Sequence, residues 1–144
     1  LKLTFQDYIS IKIHKTDLNL TRFVKAKLEP FNLAPEQNLI MMLLWEKDGL
    51  SQNQLVETLN KDKTNIARMA ASLEKKGFIK RYNCDKDRRS VRLYLTDTGR
   101  NLGNEVIPIA EEFDAIVCNG ISKEELKQME KILRKMNQNV EKLL

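Results

Sequence analysis

Residues 61–73, KDKTNIARMAASL, carry hydrogen-bonding side chains spaced for one face of a helix. At about 100° per residue, Ile66, Met69, Ala70 and Leu73 fall on one side. Lys61, Thr64, Arg68 and Ala71 fall on the opposite side, flanked by Asn65 and Ser72. An arginine on such a face can donate two hydrogen bonds to guanine O6 and N7. An asparagine can pair with adenine in the same two-point way, and a threonine can bond a base edge or touch a thymine methyl. Ala67 and Ala71 keep the surface low, so the helix can sit deep in a major groove. Its first turn offers free N–H groups and the positive end of the helix dipole, which favour a phosphate. A polar face of this kind also occurs on helices of unrelated bundles, so its neighbours decide its meaning.

The neighbours are cationic. Between Lys61 and Arg100 there are 12 Lys and Arg against 5 Asp and Glu, a local excess of +7. The remainder holds 13 basic and 15 acidic residues, a balance of −2. An excess confined to one segment points to a polyanion at that segment. After Gly77, FIKRYN and SVRLYLT alternate as half-buried strands, with Ile79, Val91, Leu93 and Leu95 inward and Lys80, Arg92 and Tyr94 outward. CDKDRR between them reads as a charged hairpin tip. Lys86, Arg88 and Arg89 can run along phosphates or enter a narrow minor groove, where negative potential is enhanced. Asp85 and Asp87 suit pairing with the neighbouring arginines, and so fixing the loop.

These segments need a scaffold, and the rest of the chain supplies one. Phe5, Ile9, Ile13, Leu20, Val24 and Leu28 recur at near-helical spacing before Pro30. A short helix is predicted from Pro35, with Gly49 as a left-handed cap after it. Ser51 and Gln54 have capping-box spacing, with Leu50 and Leu55 spaced as a hydrophobic staple. The helix of about 62–76 follows, with Asp62 as N-cap. Thr96 caps a further helix, which Pro108 should kink or interrupt. Ser122 and Glu125 cap the last helix, whose stripe is Leu126, Met129, Ile132, Leu133, Met136 and Val140. The order is four helices, a hairpin and two helices: a mainly α (α+β) winged helix-turn-helix.

Composition narrows the classes. The 144 residues are 42% apolar and 31% charged, which suits one domain with a core. No apolar run approaches the roughly 20 residues that span a bilayer, and no secretory signal is visible, so a cytoplasmic protein without a membrane role is expected. Cys84 and Cys118 stand far apart, which fits a reducing compartment. His14 is the only histidine, and no cluster has metal-ligand spacing, so neither metal nor cofactor is expected. No nucleophile–base pair or Gly-rich phosphate loop supports an enzyme.

The stretch LSQNQLVETLNKDKTNIARMAASLEKKGFIKRYNCDKDRRSVRLYLTDTGR resembles the MarR family of bacterial transcriptional regulators. Asp62, Thr64, Arg68, Leu73 with Glu74, Gly77, Arg81, Asp87 with Arg88 and Arg89, and Leu95 with Thr96 to Gly99 fall where that pattern expects them. The resemblance covers the whole chain. It implies a single domain, residues 1–144, with a DNA-binding lobe over 35–100. A helical dimerisation lobe would be built from residues 1–30 and 101–144. It implies a homodimer whose two recognition helices, roughly 34–36 Å apart, read a pseudo-palindrome in double-stranded DNA. Thr64, Asn65 and Arg68 become candidate base readers. Lys61, Lys63, Ser72 and the helix start at Ser51, Gln52 and Gln54 become candidate phosphate contacts. Lys86, Arg88 and Arg89 become wing contacts, oriented by Asp87.

Three departures bear on detail: Cys84 stands where the tip usually begins with Asp, Ala67 where Ser or Thr is frequent, and Ala34 where a hydroxyl cap is frequent. Family members respond to phenolic ligands or to cysteine oxidation. The redox branch needs a thiol in the N-terminal helix, and no cysteine precedes Cys84. Cys84 on a cationic tip is an oxidation candidate against the blander reading of an exposed thiol, and Cys118 reads as a small buried residue. His14 and Trp45 are candidate borders of a small-molecule effector cleft, against blander readings as a surface histidine and a core tryptophan. Repression is the simplest regulatory mechanism, because a dimer over a promoter excludes polymerase. The competing class is a winged-helix protein–protein module without specific DNA binding, and loss of DNA selection on Arg68→Ala separates the two.

Overall fold

The computed structural model describes residues 2–84 and 87–144, and for residues 84 and 87–89 the backbone alone. A 3-10 turn, Phe5–Asp7, precedes α1 (Ile9–Leu28), and a second, Glu29–Phe31, joins it to α2 (Pro35–Glu46). Then come α3 (Gln52–Leu59), α4 (Lys63–Lys75), β1 (Ile79–Cys84), β2 (Asp87–Leu95), α5 (Asp97–Val117) and α6 (Lys123–Glu141). The predicted order of four helices, a hairpin and two helices is the observed one. Contacts group the chain into two compact units, Leu1–Ala110 and Glu111–Leu144, with the boundary inside α5.

The first unit holds the core. Ile40, Met41 and Leu44 of α2, Leu55 of α3, Ile66 and Leu73 of α4, Ile79 and Leu93 of the hairpin, and Val106 of α5 are all buried. α1 joins it at its end, where Leu28 is buried and Val24 packs against the cluster. The start of the α1 stripe stays open, with Phe5, Ile9 and Ile13 exposed. Local signals place the turns. Ser51 Oγ accepts from Gln54 N at 3.1 Å while Gln54 Oε1 accepts from Ser51 N at 2.8 Å, the reciprocal box that starts α3. Asn60, left-handed at φ 53°, ends α3. Asp62 Oδ1 then accepts from Asn65 N at 2.7 Å and starts α4.

β1 and β2 pair antiparallel from Ile79↔Leu95 to Asn83↔Val91, shift register, and finish at Cys84↔Asp87. The strand bounds therefore extend into the charged segment expected to be a loop, where Cys84 and Asp87 form the last pair. Asp87, Arg88 and Arg89 fall within the bounds of β2, with Asp87 paired to Cys84 and the register shift lying between that pair and Asn83↔Val91. The opposite edge of β2 is also occupied: Leu93 N donates to Leu50 O at 2.9 Å, and Ser51 bridges Arg92. Thr96 Oγ1 accepts from Gly99 N at 3.0 Å and starts α5 as expected, while donating to Gly77 O at 2.6 Å. α5 passes Pro108 unbroken, so of the two outcomes expected there interruption does not occur. The lost bond is the one to the carbonyl of Asn104, an exposed residue where water can serve instead.

In the second unit, Ser122 and Glu125 form the predicted capping box that starts α6. Met129, Ile132, Leu133 and Val140 of its stripe are exposed. Cys118 is half-buried, less enclosed than expected, because it is the first residue past α5, in the turn that leads to α6. No helix among the described residues is long and apolar enough to cross a membrane.

Candidate nucleic-acid interface

α4 is oriented by what it buries. Ile66, Met69, Ala70 and Leu73 are all buried, as their spacing predicted. Anchoring one face turns Thr64 and Arg68 outward, and both are exposed. Asn65, half-buried beside them, accepts a hydrogen bond on Oδ1 from Arg68 Nη2. This bond directs the guanidinium along the helix, back toward its first turn. The three predicted base readers share one exposed patch at the start of α4.

The predicted phosphate contacts divide. Lys63 is exposed beside Thr64. Lys61 instead makes an ion pair with Glu36 of α2 at 3.0 Å. Ser72 Oγ accepts from Gln37 Nε2 at 3.0 Å, so it faces α2. Gln37 Oε1 in turn accepts from Lys76 Nζ at 2.7 Å, and that ammonium also reaches Asn32 O at 2.7 Å. Burial pushes Lys76 below the ordinary lysine range. Ser51 and Gln54 are spent on capping each other, with Ser51 buried. Gln52 is half-buried, and its Oε1 has no hydrogen-bond partner among the described residues. These α2–α4 braces link residues 25 to 39 positions apart. No local spacing signals them, which is why they were missed.

The hairpin is fastened to α4. Glu74 accepts from Arg81 N at 2.8 Å and from its Nη2 at 3.1 Å. The Arg81 backbone N–H first, then its guanidinium, hold the Glu74 carboxyl below the usual carboxylate range. Lys86 and Asp85 lie outside the described residues, as do the side chains of Cys84, Asp87, Arg88 and Arg89.

Trp45 borders a pocket of about 240 Å³, with Leu44, Leu95 and Ile107 as further apolar lining and Asp48 and Arg100 as charged lining. Its Nε1 donates to Gly99 O at 3.0 Å. Asp48 Oδ2 stands 3.6 Å from Arg100 Nη2, while Oδ1 accepts from Leu95 N at 2.8 Å. Asp48 therefore joins the pocket to the base of β2. His14 is exposed on α1 and does not line this pocket, so the two predicted effector residues are not brought together. No group of three or more His, Cys, Asp and Glu among the described residues could hold a metal.

A helix-turn-helix followed by a fastened hairpin is a winged helix. The family model described as the MarR family matches residues 33–91. Crystal structures extend the likeness over nearly the whole chain. The S. aureus MepR–DNA complex is 26% identical, covering 96% of this chain and 99% of MepR, with a TM-score of 0.84. A MarR transcriptional regulator from Methanosarcina mazei Go1 is 29% identical, covering 92% and 98%, with a TM-score of 0.73. A MarR-family regulator from Listeria monocytogenes complexed with a 26mer DNA shares the fold at 24% identity, covering 97% and 90%, with a TM-score of 0.80. The chain has the fold of MarR regulators, with the match to the family model confined to residues 33–91.

Proposed function

We propose that the protein is a DNA-binding transcriptional regulator that acts without catalysis. It is a homodimeric repressor that reads a pseudo-palindromic operator with α4 in the major groove and the wing beside it. One observation carries this reading: Thr64 and Arg68 stand exposed opposite a fully buried stripe, with Arg68 held by Asn65. The DNA-bound MepR structure, at 26% identity over almost the whole chain, supports the same use of the fold. Lys63 and the wing cations supply phosphate contacts. Lys61 and Ser72 brace α4 against α2 in the free protein.

The exposed apolar residues of α1 and α6 support a dimerisation lobe formed by residues 1–30 and 101–144, since a second copy would remove both stripes from water. The Trp45 pocket is the place for a small-molecule effector. Asp48 couples it to the base of β2, so an occupant that favours one wing position shifts DNA affinity. The deciding experiment is selection of bound sequences from a random duplex pool, with Arg68→Ala in parallel. A near-palindrome that the variant no longer selects is the expected result. Recovery of no motif, with weak salt-sensitive binding alone, would replace the regulator by a generic polyanion binder.

A further inference from the structure

We infer that the outer face of the wing extends the duplex-binding surface, with Tyr82 and Arg92 holding the sugar-phosphate strands beside the groove the wing contacts. This rests on the DNA-binding reading above. The hairpin register makes Tyr82↔Arg92 and Lys80↔Tyr94 cross-strand pairs. Alternation buries Ile79 and Leu93 and leaves all four of these residues exposed on the other face. Residues 79–83 and 90–95 contain no carboxylate, so this face is purely cationic and phenolic.

Three of its side chains, Tyr82, Tyr94 and Arg92, have partners within the fold. The Tyr82 and Tyr94 rings meet edge to face, with centroids 5.7 Å apart at 73°. Tyr94 rests on the turn before α3: a Cβ on Gly49 would lie 2.8 Å from Tyr94 Cε1, and Gly49 has φ +79°. Arg92 Nη1 donates to Gly49 O at 2.9 Å. A guanidinium has five N–H donors, so this bond leaves the others for a ligand. Ordered side chains lose less entropy on binding than free ones.

The occupant follows from chemistry and position. Lysine and arginine offer donors without acceptors, and tyrosine offers a donor on a rigid ring. All three are common partners of phosphate oxygens. The Tyr82–Arg92 pair lies two residues from Cys84 and from Ser90, roughly 7 Å along the strands. A minor groove is about 6 Å wide, so the phosphates lining one that accepts the tip come within reach of this pair. The face therefore continues the proposed DNA contact instead of starting a separate one. Tyr94 acts as a positioning residue behind Tyr82.

The test uses the full chain and a selected operator extended by flanking duplex, with affinity measured by anisotropy across a salt series. Lys80→Gln with Arg92→Gln is expected to make the log–log salt slope shallower by about 1 for each cation lost. Affinities for operator and scrambled duplex should fall by the same factor. Arg92→Gln could disturb the turn at Gly49, so Lys80→Gln with Tyr82→Phe, which spares that bond, is measured in parallel. It should shift the slope by about 1 and lower both affinities equally. Unchanged slope and affinity in that second variant overturn the inference and turn the face toward a protein partner. Wild-type binding without sequence preference, with slopes that still shift, would sink the regulator reading and leave this surface standing. If the unmodified chain binds no duplex, both fall.

Discussion

Arg68 Nη2 donates to Asn65 Oδ1 one turn earlier on α4, so two of the three candidate base readers are hydrogen-bonded to each other. With one of its two acceptor sites engaged by Arg68, Asn65 has less of its oxygen free for adenine N6. Asn65 is then a buttress that aims a guanidinium. Arg68→Ala should cost about 1–3 kcal/mol of discrimination at one base pair. Asn65→Ala should cost less, and almost nothing further once Arg68 is gone. Competition between the selected duplex and its point variants measures both terms. Equal losses from Asn65→Ala in the two backgrounds would make it an independent reader.

The Glu74–Arg81 contact gives wing attachment a pH dependence. The folded carboxyl titrates below the ordinary glutamate range because the Arg81 N–H and guanidinium favour the charged form. A depressed carboxylate contributes stability above its unfolded pKa and loses it as pH falls through the folded one. Glu74→Gln should therefore be less stable than the wild type above about pH 5, and the two should converge below about pH 3. Urea midpoints across that window decide it. The contribution is modest, since the Glu74 side chain is 37% exposed and solvent screens it.

Two glycines should respond very differently to alanine. A Cβ on Gly99 would lie 2.0 Å from the Phe78 carbonyl oxygen, a backbone atom that cannot swing aside. Gly99→Ala should cost about 3 kcal/mol or more by forcing α5 away from the residue before β1. Gly77 has φ +86° and nothing within 4 Å of an added Cβ. Gly77→Ala pays only the left-handed backbone strain, about 1–2 kcal/mol. Urea unfolding of the two variants should show that order, and a reversed order would place the tighter packing at the end of α4.

The features legible in the sequence are those written within one helical turn or one strand period. Ser51–Gln54, Asp62 and Ser122–Glu125 announce helix starts because a cap and its target lie three residues apart. The buried stripe of α4 is legible because a single periodicity fixes which side faces the core. Lys61 shows where that legibility stops. Its sequence neighbours mark it as a free cation, and only the approach of α2 assigns it to Glu36. The strand ends are illegible because CDKDRR looks like a loop by composition, while the Cys84↔Asp87 pair beyond the register shift depends on backbone geometry that composition does not carry. The pocket at Trp45 draws on α2, β2 and α5, a juxtaposition that spacing along the chain does not carry.

Trp45 is the single tryptophan, so its emission reports on that pocket alone. Its indole is gripped from two sides: Nε1 donates to Gly99 O at 3.0 Å, and a Cβ on Gly103 would lie 2.9 Å from Nε1. Gly103→Ala must push the ring, stretch or break that bond, and admit water. Emission should move to longer wavelength, with a loss of about 1–3 kcal/mol from the strain and the weakened hydrogen bond. Trp45→Phe removes the donor without crowding α5 and should cost less than a cavity-forming Trp45→Ala, about 3–5 kcal/mol for the latter. An unshifted spectrum in Gly103→Ala would mean that the indole has room to yield. The wall of the pocket would then be too loose for Asp48 to pass a ligand's effect on to Leu95 and the wing.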